Sequence, residues 1–147
     1  MIDFNKIICE IKSRGCKILD FKNIHLAIFD LETINKIKTG EKVYESRWTQ
    51  KKSRPYNKIQ NDDLVIIKES CGPVVGFYIA EEVLFYEISE DVYEIMKKYG
   101  LVFSTKNEQQ IYISSKKYIT IMKIDNPVFF APFFIEKKDS QTWACFK

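Results

Sequence analysis

The chain has 147 residues, 46% of them hydrophobic and 14% aromatic, enough for one packed core and too apolar for a disordered chain. Lys and Arg total 23 against 20 Asp and Glu, and the resulting net charge of +3 selects no class of partner by itself. No apolar run approaches the roughly 18 residues that a spanning helix needs, and Asp3 and Glu10 interrupt the first apolar stretch, so a soluble cytoplasmic protein without membrane contact is expected.

In chain order, Phe4, Ile7, Ile8 and Ile11 repeat at helical spacing behind a capping Asp3 and before Gly15, which predicts an amphipathic helix over 4–14. Residues 24–29 (IHLAIF) read as a buried strand, after which Asp30 caps a short helix with Leu31, Ile34 and Ile37 on its packed side. Gly40 ends that helix. A strand over 43–48 (VYESRW) and a basic loop broken by Pro55 follow. Residues 61–63 turn the chain into a central strand at 64–68 (LVIIK), and 70–73 turn it again into a long strand over 74–87, in which Gly76 predicts a bulge. Ser89 is expected to cap a helix that buries Val92, Ile95, Met96 and Tyr99 and closes at Gly100. The last β portion covers 111–113, 118–124 and 128–135 and ends in Trp143. The order predicts a single α+β domain around a closed or nearly closed sheet.

Charge is unevenly spread. Lys36 to Lys58 holds eight basic and two acidic residues, a local balance of +6, whereas Glu81 to Glu94 holds six acidic residues and no basic one. Such polarity steers a polyanion to one side, with the acidic stretch around Glu81 and Glu82 as a solvated face. Cys9, Cys16, Cys71 and Cys145 form no C-x-x-C pair and His25 is the one histidine, so reduced thiols with no metal, disulfide or cofactor are expected. His25 reads as a satisfied core residue, and Phe129, Phe130, Phe133 and Phe134 as barrel core.

The most informative stretch is 39–48 (TGEKVYESRW), where a helix stops at glycine and a strand begins with charges on it. Alternation puts Val43, Glu45 and Arg47 on one face and Tyr44, Ser46 and Trp48 on the other, while Lys42 in the preceding turn can reach the Glu45 side. Gly40, Lys42, Glu45 and Arg47 match the G-x-K-x-x-E-x-R pattern of the ASCH family, and with the polar turn at 61–63 and the glycine-bearing strand after it, residues 24–147 resemble that family of the PUA-like superfamily. The resemblance implies a small mixed β-barrel of the PUA-like kind with flanking helices, with residues 1–23 as a helical extension outside the resemblance. It also implies a cleft, lined by the motif, that holds RNA or a modified nucleoside.

On this reading the domain is a monomer that binds RNA or a modified nucleotide through Lys42, Glu45 and Arg47. Trp48 or Trp143 stacks on a base unless it is core, the other reading open to each tryptophan, and Lys51, Lys52 and Arg54 follow the phosphates. The first alternative is enzymatic. Some small relatives are amidohydrolases on acetylated cytidine that use a lysine, a threonine and a glutamate; this chain has the lysine at Lys42 but Glu45 where that threonine would stand. Ser46 or Thr49 would then have to supply the hydroxyl and Glu69 the acid. A nuclease reading lacks a carboxylate cluster for two metals. The second alternative is a protein-interaction domain using the aromatic C-terminal block.

Overall fold

A computed structural model of the chain describes residues 2–18, 21–101 and 113–146. Three helices and six strands are present among them: α1 (Phe4–Ser13), β1 (Ile24–Phe29), α2 (Leu31–Lys38), β2 (Tyr44–Thr49), β3 (Leu64–Glu69), β4 (Val74–Glu87), α3 (Val92–Lys98), β5 (Tyr118–Phe133) and β6 (Trp143–Phe146). The strands form one mixed sheet in the order β2-β5-β4-β3-β1-β6. Only β1 and β3 run parallel, with Ile24 opposite Leu64 and Phe29 opposite Glu69. β1 and β3 are apolar on nearly every residue because both faces of the sheet are covered there.

One face packs Leu26, Leu64, Ile66 and Phe77 against Phe4, Ile7 and Ile11 of α1. The N-terminal helix is therefore part of the main core, fastened at its end by Arg14, whose Nε donates to the Ala131 carbonyl (2.5 Å) and whose guanidinium lies 4.6 Å over the Phe133 ring. The other face carries Ala27, Phe29, Val65, Ile67, Tyr78 and Met122 with Ile34 and Ile37 of α2. A third cluster, Trp48, Ile119 and Ile121 with Val92 and Met96 of α3, covers the β2 end. No helix of the described residues is long and apolar enough to cross a membrane.

The long antiparallel pair of β4 and β5 curls the sheet. Its ladder shifts register between Val74 and Gly76, between Phe77 and Ile79, and between Glu81 and Leu84, so the bulge expected at Gly76 is one of three. With this curvature, Arg47 on edge strand β2 reaches the backbone of β1 and of the residue before β6 at the far side of the sheet. Side chains close the barrel at this seam.

Several local expectations need correction. Leu31 is 54% exposed because Asp30 caps α2 so that Ile34 and Ile37 take the inner face alone. Asp91, not Ser89, is the N-cap residue of α3, and the Ser89 hydroxyl donates to the Asp91 carboxylate instead. The two late strands at 118–124 and 128–135 are one 16-residue strand, β5, bent through Asn126 at positive φ. Of the phenylalanine block, Phe133 is core while Phe134 is 78% exposed. Most of the strand expected at 111–113 lies outside the described residues, and Ile113 packs in the third cluster.

The Asp30 cap also bears on the site, since Asp30 and Thr33 both line the motif cleft. Asp30 Oδ1 accepts from Thr33 N–H at 2.7 Å, and the hydrogen bonds from Thr33 hold its carboxyl below the usual range. Asp30→Ala is expected to cost about 1 kcal/mol, read as a lower midpoint in urea unfolding with an unchanged slope.

Candidate nucleic-acid interface

β2 places Glu45 and Arg47 on the inner face of the barrel, as strand alternation requires, and the turn after α2 brings Lys42 beside them. That turn is fixed by Gly40 at φ +78° and by Lys42 N–H donating to the Lys36 carbonyl (3.0 Å). Glu45 is 7% exposed and uses both carboxylate oxygens. Its Oε2 accepts from Arg47 Nη2 at 3.2 Å, and its Oε1 accepts from Ser46 N–H at 2.9 Å and lies 3.6 Å from Lys42 Nζ.

Arg47 is clamped. Its Nη2 also donates to the Ile28 carbonyl (2.8 Å) and Nη1 to the Thr142 carbonyl (3.4 Å). The guanidinium lies 4.7 Å from the Phe29 ring centroid and 5.2 Å from that of Trp143. A cation held over two rings and by three acceptors has little rotamer freedom left to lose to a ligand. Beneath it Tyr78 is fully buried and donates to Met122 Sδ (3.2 Å); burial first, then the field of Glu45, pushes its phenol well above the ordinary value.

Around these groups lies an open cleft of about 310 Å³, lined by Ile28, Asp30, Thr33, Lys42, Glu45 and Arg47 among others. It meets at Thr142 a second hollow of about 460 Å³, to which the loop after β2 contributes Lys52, Arg54 and Lys58. That loop is basic yet ordered because Tyr56 and Ile59 are buried, Tyr56 packing edge-on to Phe85 and against Tyr118. Lys51, Lys52, Arg54 and Lys58 remain exposed.

The structure thus brings Lys42, Glu45 and Arg47 together and sets Lys52 and Arg54 in the adjoining hollow, while Lys51 lies on the same loop. Other sequence-predicted residues fare differently. Trp48 is 8% and Trp143 4% exposed, so each shows only a small part of its surface, Trp48 to the motif cleft and Trp143 to the second hollow; Trp48 packs in the third cluster with its Nε1 donating to Ser46 Oγ (3.0 Å), and Trp143 backs Arg47. Base stacking by either tryptophan does not fit that burial. Ser46 lines the motif cleft, its Oγ receiving the Trp48 N–H, whereas Thr49 lines the second hollow and Glu69 lines neither.

Sequence reasoning missed a third hollow, of about 250 Å³, that shares Ile28 and Thr142 and contains Lys68 and Lys137. Lys68 is 7% exposed; burial, followed by the charge of Lys137, lowers its pKa. The available signal was a cation ending the otherwise apolar run LVIIK. Also missed was the environment of His25, which is buried as expected but hydrogen-bonded to Asp63, Cys145 and Trp143.

No protein-family model and no curated protein matches the chain. Among solved structures the chain is similar to ASCH from Zymomonas mobilis, with a TM-score of 0.64 at 14% identity over 84% of this chain and 87% of that one. Two point mutants of the same protein superpose with the same TM-score at 14% and 15% identity, covering 84% of this chain and 90% and 88% of theirs. At this identity the likeness is one of fold, and it extends over nearly all of both chains.

Proposed function

We propose that this chain, which has the ASCH fold of the PUA-like superfamily, is a binding module for RNA or a modified nucleotide. The observation that carries the reading is the clamped Arg47 facing an open cleft, with Lys42 and Glu45 beside it and the basic loop next to it. Arg47 presents a fixed, planar donor edge to a phosphate or a base, and Glu45 offers an acceptor to a base amino group. Lys52, Arg54 and Lys58 continue the cationic surface over the second hollow, where the chain of phosphates is held. A small pocket followed by a cationic track suits an unpaired nucleotide within a single strand better than a duplex.

Binding to a single-stranded oligoribonucleotide should weaken linearly in a plot of log affinity against log salt. Replacing Lys51, Lys52 and Arg54 together by alanine should lower the slope by about two. Arg47→Lys keeps the charge and loses the planar fork, so affinity is expected to fall about tenfold with the slope nearly unchanged. Affinity indifferent to salt, or a parent-like Arg47→Lys, rules out this use of the cleft.

A further inference from the structure

At the opposite end of β1 from the Arg47 clamp lies a second constellation. The β1–β6 register sets His25 directly across from Cys145, and Asp63 sits in the turn that enters β3. His25 Nδ1 is 3.0 Å from Cys145 Sγ, and His25 Nε2 is 2.8 Å from Asp63 Oδ2. Asp63 is itself held, by Gln60 N–H on Oδ2 (2.9 Å) and by Asn23 Nδ2 on Oδ1 (3.1 Å). The acceptors fix the tautomer. Nε2 carries the proton toward the carboxylate, and Nδ1 keeps a lone pair that receives the Trp143 Nε1–H at 3.1 Å and faces the thiol. Thiol and carboxylate contact different ring nitrogens, so the three groups do not converge on one metal ion.

Cys145 is partly exposed, and with His25 it lines a hollow of about 420 Å³ whose other walls include Lys22, Asn23, Arg54 and Lys58. We propose that Cys145 is a nucleophile served by His25 as general base, with Asp63 as the positioning residue for the imidazole, in a site that accepts an acyl ester carrying a negative charge. Nucleophile, base and orienting carboxylate stand in the relation that acyl transfer uses. The cations at the rim, Lys22, Arg54 and Lys58, supply the preference for an anionic substrate.

In the proposed step the Cys145 sulfur bonds to the acyl carbon while its proton passes to His25 Nδ1. The carbon–oxygen bond to the alcohol then breaks, and the alcohol leaves with that proton. Water next attacks the thioester, releasing the acid and restoring the thiol. Protonation of Nδ1 displaces the Trp143 Nε1–H that it accepts at rest, and the loss of that hydrogen bond is part of the barrier to the step. Burial raises the Cys145 pKa, with the cations of Arg54 and Lys58 opposing it, and burial lowers that of His25, with Asp63 opposing it. The resting pair is accordingly a neutral thiol and a neutral imidazole, and the proton moves only during attack.

Exposed Cys9 and Cys71 are controls within the same molecule. The whole protein is incubated with mono-4-nitrophenyl succinate or with the neutral 4-nitrophenyl acetate, and acylation of each cysteine is followed by peptide mass mapping. Cys145 is expected to react about a hundredfold faster than Cys9 or Cys71 with the succinate ester, and to favour it over the acetate more strongly than they do. Asp63→Asn is expected to move the midpoint of the pH profile at Cys145 downward, because the imidazolium loses its carboxylate, and to leave the profile at Cys9 in place. Acylation of Cys145 in the parent protein no faster than that of Cys9 and Cys71 would overturn the nucleophile. Equal preference for the two esters at all three cysteines would overturn the anionic substrate class.

Discussion

Glu45→Ala is expected to lower stability by about 3 kcal/mol, near the lower end for removing one partner of a buried ion pair. The carboxylate serves three groups at once: the Arg47 guanidinium, the Lys42 ammonium and the Ser46 N–H. Without it Arg47, whose side chain is 15% exposed, keeps two backbone carbonyls but no counter-charge, and Ser46 N–H loses its acceptor. Glu45→Gln is the informative companion. Its amide oxygen can still accept from one donor, so about half the loss is expected, on the scale of a hydrogen bond to a charged group. Chemical unfolding of both variants checks the order. A Glu45→Ala protein as stable as the parent would mean that the pair's attraction does no more than offset its desolvation.

Gly76→Ala is expected to destabilise by about 3 kcal/mol, at the upper end for overpacking a core. A Cβ built there would press into the Val128 carbonyl oxygen, well inside van der Waals contact, and stand 2.9 Å from Phe129 Cδ1 and 3.2 Å from Phe129 Cα. Two of those atoms are backbone of the neighbouring strand, so relief requires β4 and β5 to part just where the ladder shifts register. Gly40, the motif glycine, provides the contrast. It has φ +78° but nothing within 4 Å of a built Cβ, so alanine there should cost only the left-handed backbone, about 1 kcal/mol. Equal thermal shifts for the two variants would show that steric contact at Gly76 is relieved at no cost.

The sequence was most legible where one periodicity dominated. The spacing of Phe4, Ile7 and Ile11 gives α1, the runs at 24–29 and 64–68 give the central strands, and alternation puts Glu45 and Arg47 on one shared face. Ambiguity arose where two rules competed. Asn126-Pro127 looks like a break, yet Pro127 is tolerated where β5 bends, so one strand was read as two. Trp48 and Trp143 admit two readings in the sequence, core or base platform, and it is the packing of α3 and the curl of the sheet, which no local spacing records, that leave each ring largely buried. The group formed by His25, Asp63 and Cys145 was illegible because pairing of β1 with both β3 and β6 creates it, and no local spacing records that pairing.

The seam closed by Arg47 has a further consequence for how copies of this chain treat one another. An unclosed sheet ends in two strands whose free backbone groups invite a neighbour to add on, the first step toward fibrous association. Here one border, β6, spans four of the described residues, a short template for an incoming strand. The other, β2, buries a carboxylate and turns a guanidinium inward over the gap, so that an incoming strand would have to strip both charges of their partners. The residues proposed as a nucleotide site therefore also guard this border of the sheet, and exchanging them for apolar ones would leave it open to strand addition.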